Sequence, residues 1–287
     1  VSEAGRENAQ HIPAIGVFDS GFGGLTVLRA LLDRLPHARF AFIGDTARLP
    51  YGSKSRRTIA RYAVESARFL VSEQEAEFLV IACNTASALA LDAIQDAVSV
   101  PVLGVIEPGA AAAHASSRTG DVLVIATDAT VHSHAYAAAC SKHGLRALEK
   151  ACPLLVPLVE EGWTDHAVTD QVVRIYLEEL MTEATARGLT PDTLVLGCTH
   201  YPLLRPLMER AVPAGMKVID SAESAADAAA HLINGNGRGT LAQSAGGSSM
   251  GAQVRCFATD SVEKFERLGS RFLGQPVGEV DLVDLGG

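Results

Sequence analysis

Cysteine is scarce in this chain: five residues in 287, an odd count, at positions 83, 140, 152, 198 and 256. No pair has the C-x-x-C spacing of zinc or thioredoxin-like sites, so stability need not come from disulfides and a reducing cytoplasm suits the thiols best. Long apolar runs are missing too. Nothing reaches the roughly 18 residues of a membrane-spanning helix, and the opening VSEAGRENAQHIPA is polar, without the apolar centre of a secretory signal. The expectation is a soluble, unexported protein with no membrane partner. Basic residues are in deficit: 24 Lys and Arg against 33 Asp and Glu give a net charge of -9. That charge repels a polyphosphate surface at long range, which argues against nucleic acid as a partner. A small charged substrate stays open, because local dipoles and not net charge hold such ligands. No metal-ligand cluster can be read, and none of Lys54, Lys142, Lys150, Lys217 or Lys264 has a convincing pyridoxal setting. Neither metal nor cofactor is expected.

What the sequence does hold is 48% apolar residues, enough to fill the cores of two ordinary domains or one large α/β unit. Short aliphatic runs alternate with longer helical patterns. AIGVF precedes a helix after Gly24, RFAFIG one from about Arg56, EFLVIA one after Thr85, and PVLGVI one near Pro108. The second half continues with DVLVIAT, TLVLGC and MKVID, the last leading into an Ala-rich helix from Ser221. Such alternation predicts parallel sheets wrapped by helices, with ligands at the carboxyl ends of the strands. Residues 234–252 are rich in Gly, Ser and Asn and read as a loop without chemistry, before QVRCFAT as the last strand.

One internal repeat stands out. FLVIACNTASALALDAIQ (78–95) resembles TLVLGCTHYPLLRPLMER (193–210), each copy being strand, cysteine, polar pair and helix, at an offset of 115 residues. Two units imply two similar halves facing one another, since a solenoid needs at least three. That symmetry sets Cys83 and Cys198 across one cleft. Each sits where a buried strand meets a helix N-terminus, where N–H groups and the helix dipole favour a thiolate and draw its pKa from roughly 8.5 towards neutrality. Singly, either is better read as a buried structural thiol; the duplication reverses that preference. A resting disulfide between them is the other sharp possibility.

Asp19 and Ser20 follow the first strand and precede GFGG, so backbone can approach a ligand closely while an acid and a hydroxyl face it. The glycines complete neither G-x-G-x-x-G nor a Walker loop, and a tight strand-to-helix turn explains them equally well. GDTARLPYGSKS (44–55), with Tyr51 and Gly52, reads on its own as a polar loop. His200 is placed to act as a base or a fixed donor beside Cys198. Glu160 and Glu161 read as a solvent-facing pair.

Taken together, DSGFGGLTVL, GDTARLPYG, ACNTASA, EPGA, CPLLVPLVEEG, LGCTHYPLL and ATDSVEKFERLG resemble the glutamate racemases of bacterial cell-wall synthesis, over about residues 12–274. The resemblance implies an α/β fold of two pseudo-symmetric, doubly wound domains with mainly parallel sheets and the active site between them. In this chain it implies a disordered tail at 1–12, a discontinuous first domain of 13–104 plus 215–287, and a second of 105–214. It also implies cofactor-independent interconversion of L- and D-glutamate, supplying D-glutamate for peptidoglycan. Cys83 and Cys198 match the acid/base pair. Asp19, Ser20, Tyr51, Gly52, Asn84, Thr85, Thr199 and His200 match the substrate contacts, and Asp19, His200 and Glu160 match groups that assist the thiols. A cytoplasmic homodimer is the implied assembly. Within the enzyme class the competing substrate is aspartate or a related acid. Outside that class, the chain reads as an amino-acid-binding or redox protein with its cysteines paired.

Overall fold

The structure, a computed structural model, describes residues 12–235 and 252–286. The expected N-terminal tail up to residue 11 and most of the Gly/Ser-rich loop, 236–251, lie outside the described residues.

The chain opens with β1 (Ala14–Asp19), α1 (Leu25–Arg34), β2 (Arg39–Gly44), α2 (Arg56–Ser72), β3 (Phe78–Ile81), α3 (Asn84–Leu89), α4 (Leu91–Ala97) and β4 (Val102–Gly104). It crosses through α5 (Ile106–Ser116) into β5 (Asp121–Ala126), α6 (Asp128–Ser133), α7 (Ala135–Lys142), β6 (Arg146–Ala151), α8 (Leu155–Glu160), α9 (Ala167–Ala186), β7 (Thr193–Gly197), α10 (Arg205–Ala211) and β8 (Lys217–Asp220). A long helix, α11 (Ser221–Gly235), then leads back to β9 (Gln253–Ala258), α12 (Val262–Leu273) and β10 (Val280–Leu282). The α/β class and the parallel sheets expected from the alternation are what is observed: every strand pairing is parallel. β1, β3, β5 and β7 are buried along their whole length, which is why they read as unbroken aliphatic runs and not as alternating ones.

The sheets have the orders β10-β9-β2-β1-β3-β4 and β6-β5-β7-β8. Without β9 and β10, the first sheet has the same order as the second, so the sequence repeat is a repeat of topology. β3 takes the place of β7, and each hands its cysteine to the carboxyl edge of its sheet.

Three expectations change. β8 pairs with β7 in the second sheet, so the return expected at residue 215 comes only after Asp220. QVRCFAT is not the last strand, because β10 pairs beyond it; three residues at a sheet edge leave no readable apolar run. Gly235 still belongs to α11, so the Gly-rich stretch starts later than its composition predicts. One apolar cluster joins the sheets, running from Val17, Phe22 and Leu28 to Leu123, Leu196 and Ala226. α1 and α11 carry it between them, and Arg34 and Asp227 pair at 2.6 Å on their exposed rim.

Candidate active site

Parallel strands point their carboxyl ends, and the helix N-termini that follow, to the same side of a sheet. Here those edges of the two sheets face each other across a cavity of about 370 Å³. The first sheet's loops contribute Ser20, Tyr51, Gly52, Cys83, Asn84 and Thr85 to its wall. The second contributes Glu160, Cys198, Thr199 and His200, together with Thr127 and Cys152, which sequence reasoning did not single out. Every expected site residue except Asp19 lines the cavity. Asp19 is 1% exposed and lies behind Ser20, with one carboxylate oxygen accepting from the Gly21 N–H at 2.9 Å and the other without a hydrogen-bond partner.

The glycines of GFGG serve close packing. A Cβ on Gly24 would lie 2.5 Å from the Asp19 Cβ, and one on Gly23 would lie 2.4 Å from Thr199 Oγ1 and 2.5 Å from His200 Nδ1. The turn after β1 is thus pressed onto the loop after β7, and the Thr26 hydroxyl donates to the Thr199 carbonyl at 3.1 Å. The tight-turn explanation is the observed one.

Cys83 is the N-cap of α3: its sulfur accepts from the Ala86 N–H at 3.4 Å and its thiol donates to Ser20 Oγ at 3.3 Å. Both site cysteines are free thiols. The expected drop in pKa does not occur. Burial, then the Asp19 carboxyl, push the Cys83 thiol up to about 11 against the donors from Ser20 and Ala86. Cys198 is also pushed up, by burial first, with Cys83 and Asp19 adding to it and the N–H groups of His200 and Tyr201 opposing. The physical reason is length. α3 has six residues, and Cys198 is followed by a single 3-10 turn, Tyr201–Leu204; such short dipoles do not offset the desolvation of a buried anion. That Cys83 raises Cys198 means a charge on one thiol disfavours a charge on the other.

On the Cys198 side, His200 rests edge-on against Phe272, ring centroids 4.9 Å apart. Its Nδ1 is 3.3 Å from Thr199 Oγ1. Its Nε2 is 3.4 Å from a Glu160 oxygen, near enough for an ion pair but without an aligned hydrogen bond. The other Glu160 oxygen is 3.7 Å from Lys264 Nζ, on α12. Burial alone would raise Glu160, but His200 and Lys264 outweigh it and hold the carboxyl below its ordinary range. Glu161 is exposed, whereas Glu160 lines the cavity, so the two do not form the solvent-facing pair expected from the sequence.

Two supporting groups escaped sequence reasoning. Asp45 is fully buried and accepts from Tyr51 OH, from Arg48 Nε at 2.8 Å and from Thr259 Oγ1 at 3.0 Å. It anchors the turn that presents Tyr51 and Gly52. Thr85, Thr127 and Thr130 form a hydroxyl triangle of 2.9–3.3 Å between the loops after β3 and β5. The first was visible only as polar residues inside GDTARLPYG; in the second, Thr85 stood among the expected substrate contacts, but nothing in DVLVIAT or after it marked Thr127 and Thr130 as its partners.

The sequence model of Asp/Glu/Hydantoin racemases matches residues 24–229. The chain belongs to that family. It is accordingly an enzyme of the isomerase class, a racemase. A glutamate racemase of Koribacter versatilis is 54% identical over 96% of this chain and 98% of its own length. Among solved structures, a glutamate racemase isoform of Bacillus anthracis superposes with a TM-score of 0.85 at 38% identity, covering 96% of this chain and 98% of that one. The Francisella tularensis glutamate racemase in complex with D-glutamate superposes at 0.82 with 34% identity, covering 95% and 98%. Both share the two-sheet architecture of this racemase-family chain. Among the described residues, no helix is long and apolar enough to cross a membrane, and no group of three or more His, Cys, Asp or Glu is arranged to hold a metal ion.

Proposed function

We propose that the chain interconverts L- and D-glutamate without a cofactor, using Cys83 and Cys198 as the acid/base pair. The observation that carries this is the facing of two free thiols at topologically equivalent strand ends in one cavity. Inverting a stereocentre by proton transfer needs a base on one face of the α-carbon and an acid on the other. One cysteine enters as thiolate and takes the α-proton, becoming a thiol. The other delivers its proton to the opposite face and becomes the thiolate, so charge and proton count are conserved. In keeping with the resemblance, Cys83 deprotonates D-glutamate and Cys198 L-glutamate.

Because burial raises both thiols, the reactive thiolate forms only with help. The N–H groups of Ala86, His200 and Tyr201 supply part of it, and an ammonium group on the substrate lowers a neighbouring thiol further. Ser20, Tyr51, Gly52, Asn84, Thr85 and Thr199 hold the substrate; Asp19 assists Cys83, and His200, backed by Glu160, assists Cys198. The carbanion-like transition state is stabilised by donors already fixed at the strand ends. Two domains form the cleft, the first built on 13–104 with the returning C-terminal segment, the second beginning at 105. The named activity of the relatives supports glutamate as the substrate; the supply of D-glutamate to peptidoglycan, by a cytoplasmic homodimer, is what the resemblance of the motifs implies.

The test is incubation of L-glutamate with pure protein in D2O, following loss of the α-proton signal and of circular dichroism. Exchange with inversion is expected, and its abolition in Cys83→Ser and Cys198→Ser with folding intact. An active Cys198→Ser enzyme sinks the two-thiol mechanism; glutamate of unchanged stereochemistry with wild-type protein sinks the activity.

A further inference from the structure

Asn84 is 3% exposed and lines the cavity directly after Cys83. A carboxamide in that position can present either its oxygen or its nitrogen to a ligand, and the two ends differ in sign. Its Oδ1 accepts a hydrogen bond of 2.7 Å from the hydroxyl of Tyr136, whereas its Nδ2 is buried with no partner within the protein. Tyr136 comes from the other half of the molecule, on α7, and is fully buried. Burial drives its phenol upward, away from ionisation, so it remains a donor throughout the ordinary pH range.

The ring is as constrained as the hydroxyl. A Cβ on Gly197, the residue before Cys198, would lie 2.9 Å from one ring carbon of Tyr136, and one on Gly109 would lie 3.3 Å from another. The phenol is therefore wedged against the strand end that carries Cys198 while its oxygen holds the side chain that follows Cys83.

We propose that Tyr136 is a positioning residue that fixes the Asn84 carboxamide with its nitrogen toward the cavity, as a donor to a substrate carboxylate. This rests on the glutamate-racemase reading above. Without the phenol hydroxyl, the buried Oδ1 loses its donor and the amide is free to turn. A turned amide sets an oxygen against a carboxylate, so binding suffers in the ground state and the transition state alike, which raises KM and leaves kcat nearly unchanged.

The test compares wild type, Tyr136→Phe, Asn84→Ala and the double variant, by racemisation kinetics with L- and D-glutamate, by calorimetric binding of D-glutamate and by thermal unfolding. Tyr136→Phe is expected to raise KM and Kd about tenfold, corresponding to roughly 1.4 kcal/mol of binding, with kcat within about threefold. In the Asn84→Ala background the same change is expected to have no further effect on KM, since residues acting as one unit are non-additive. Unchanged KM and Kd with only a lowered Tm would overturn the inference and make Tyr136 a core residue, as would a full tenfold effect persisting without Asn84. If wild type binds D-glutamate but does not racemise it, the activity is wrong and the Kd series still decides the role of Tyr136. If it does not bind glutamate at all, both fall.

Discussion

Gly23→Ala adds one methyl group at the point where the two halves of the site touch. Its Cβ would lie 2.4 Å from Thr199 Oγ1 and 2.5 Å from His200 Nδ1, where ordinary contact begins at 3.4 Å. Relief requires a shift of about 1 Å in the loop that follows Cys198, because the opposing turn is held by the hydrogen bond from Thr26 to the Thr199 carbonyl. A misplacement of about 1 Å in groups that orient a reacting centre costs on the order of 100-fold in rate, or about 2.7 kcal/mol of transition-state stabilisation. Overpacking costs stability as well, about 1–3 kcal/mol. The assay is kcat/KM for racemisation by circular dichroism, with Tm measured on the same preparation. A roughly 100-fold loss in kcat/KM in a folded variant is expected. Activity within twofold of wild type at an unchanged Tm would show that the position of Thr199 and His200 does not govern turnover.

Two other perturbations act on the supporting groups. Asp45→Asn removes one of the two carboxylates that Arg48 pairs with, leaving Glu65, and weakens the acceptor that holds Tyr51 OH and Thr259; urea unfolding should show a loss of about 1–3 kcal/mol, with a raised KM. Lys264→Ala removes one of the two side chains, with His200, that hold Glu160 low. The Glu160 pKa must then rise, so the acidic limb of the kcat/KM profile should move to higher pH, and a profile that stays put would detach Glu160 from turnover.

The sequence made the cysteine pair legible because both follow strands buried on each face, where aliphatic runs are uninterrupted and end sharply. β6 escaped for the opposite reason: RALEKA lies at a sheet edge with five of its six positions at least partly exposed, so its composition is that of a surface. Asp19 and His200 stand inside motifs and could be named, but their electrostatics could not. The competition between burial and a short row of N–H donors depends on how deep the sulfur lies, and only the packed structure sets that depth. Tyr136 was unreadable because its partner is 52 positions away in sequence and in the opposite half of the molecule.

The shared strand order of the two sheets carries a kinetic consequence. Phe18 pairs with Ile81, which sets Asp19 beside the residue before Cys83, and Ala126 pairs with Gly197, the residue before Cys198. The position that holds a buried carboxyl in one half therefore holds a methyl group in the other. Enantiomers have equal free energies in water, so no arrangement of charge can favour one product at equilibrium, and kcat/KM must be the same in both directions. On the proposed two-thiol mechanism, the mismatch between Asp19 and Ala126 is expected to be expressed elsewhere: in unequal kcat values matched by unequal KM values, and in primary deuterium isotope effects that differ according to which thiol takes the proton.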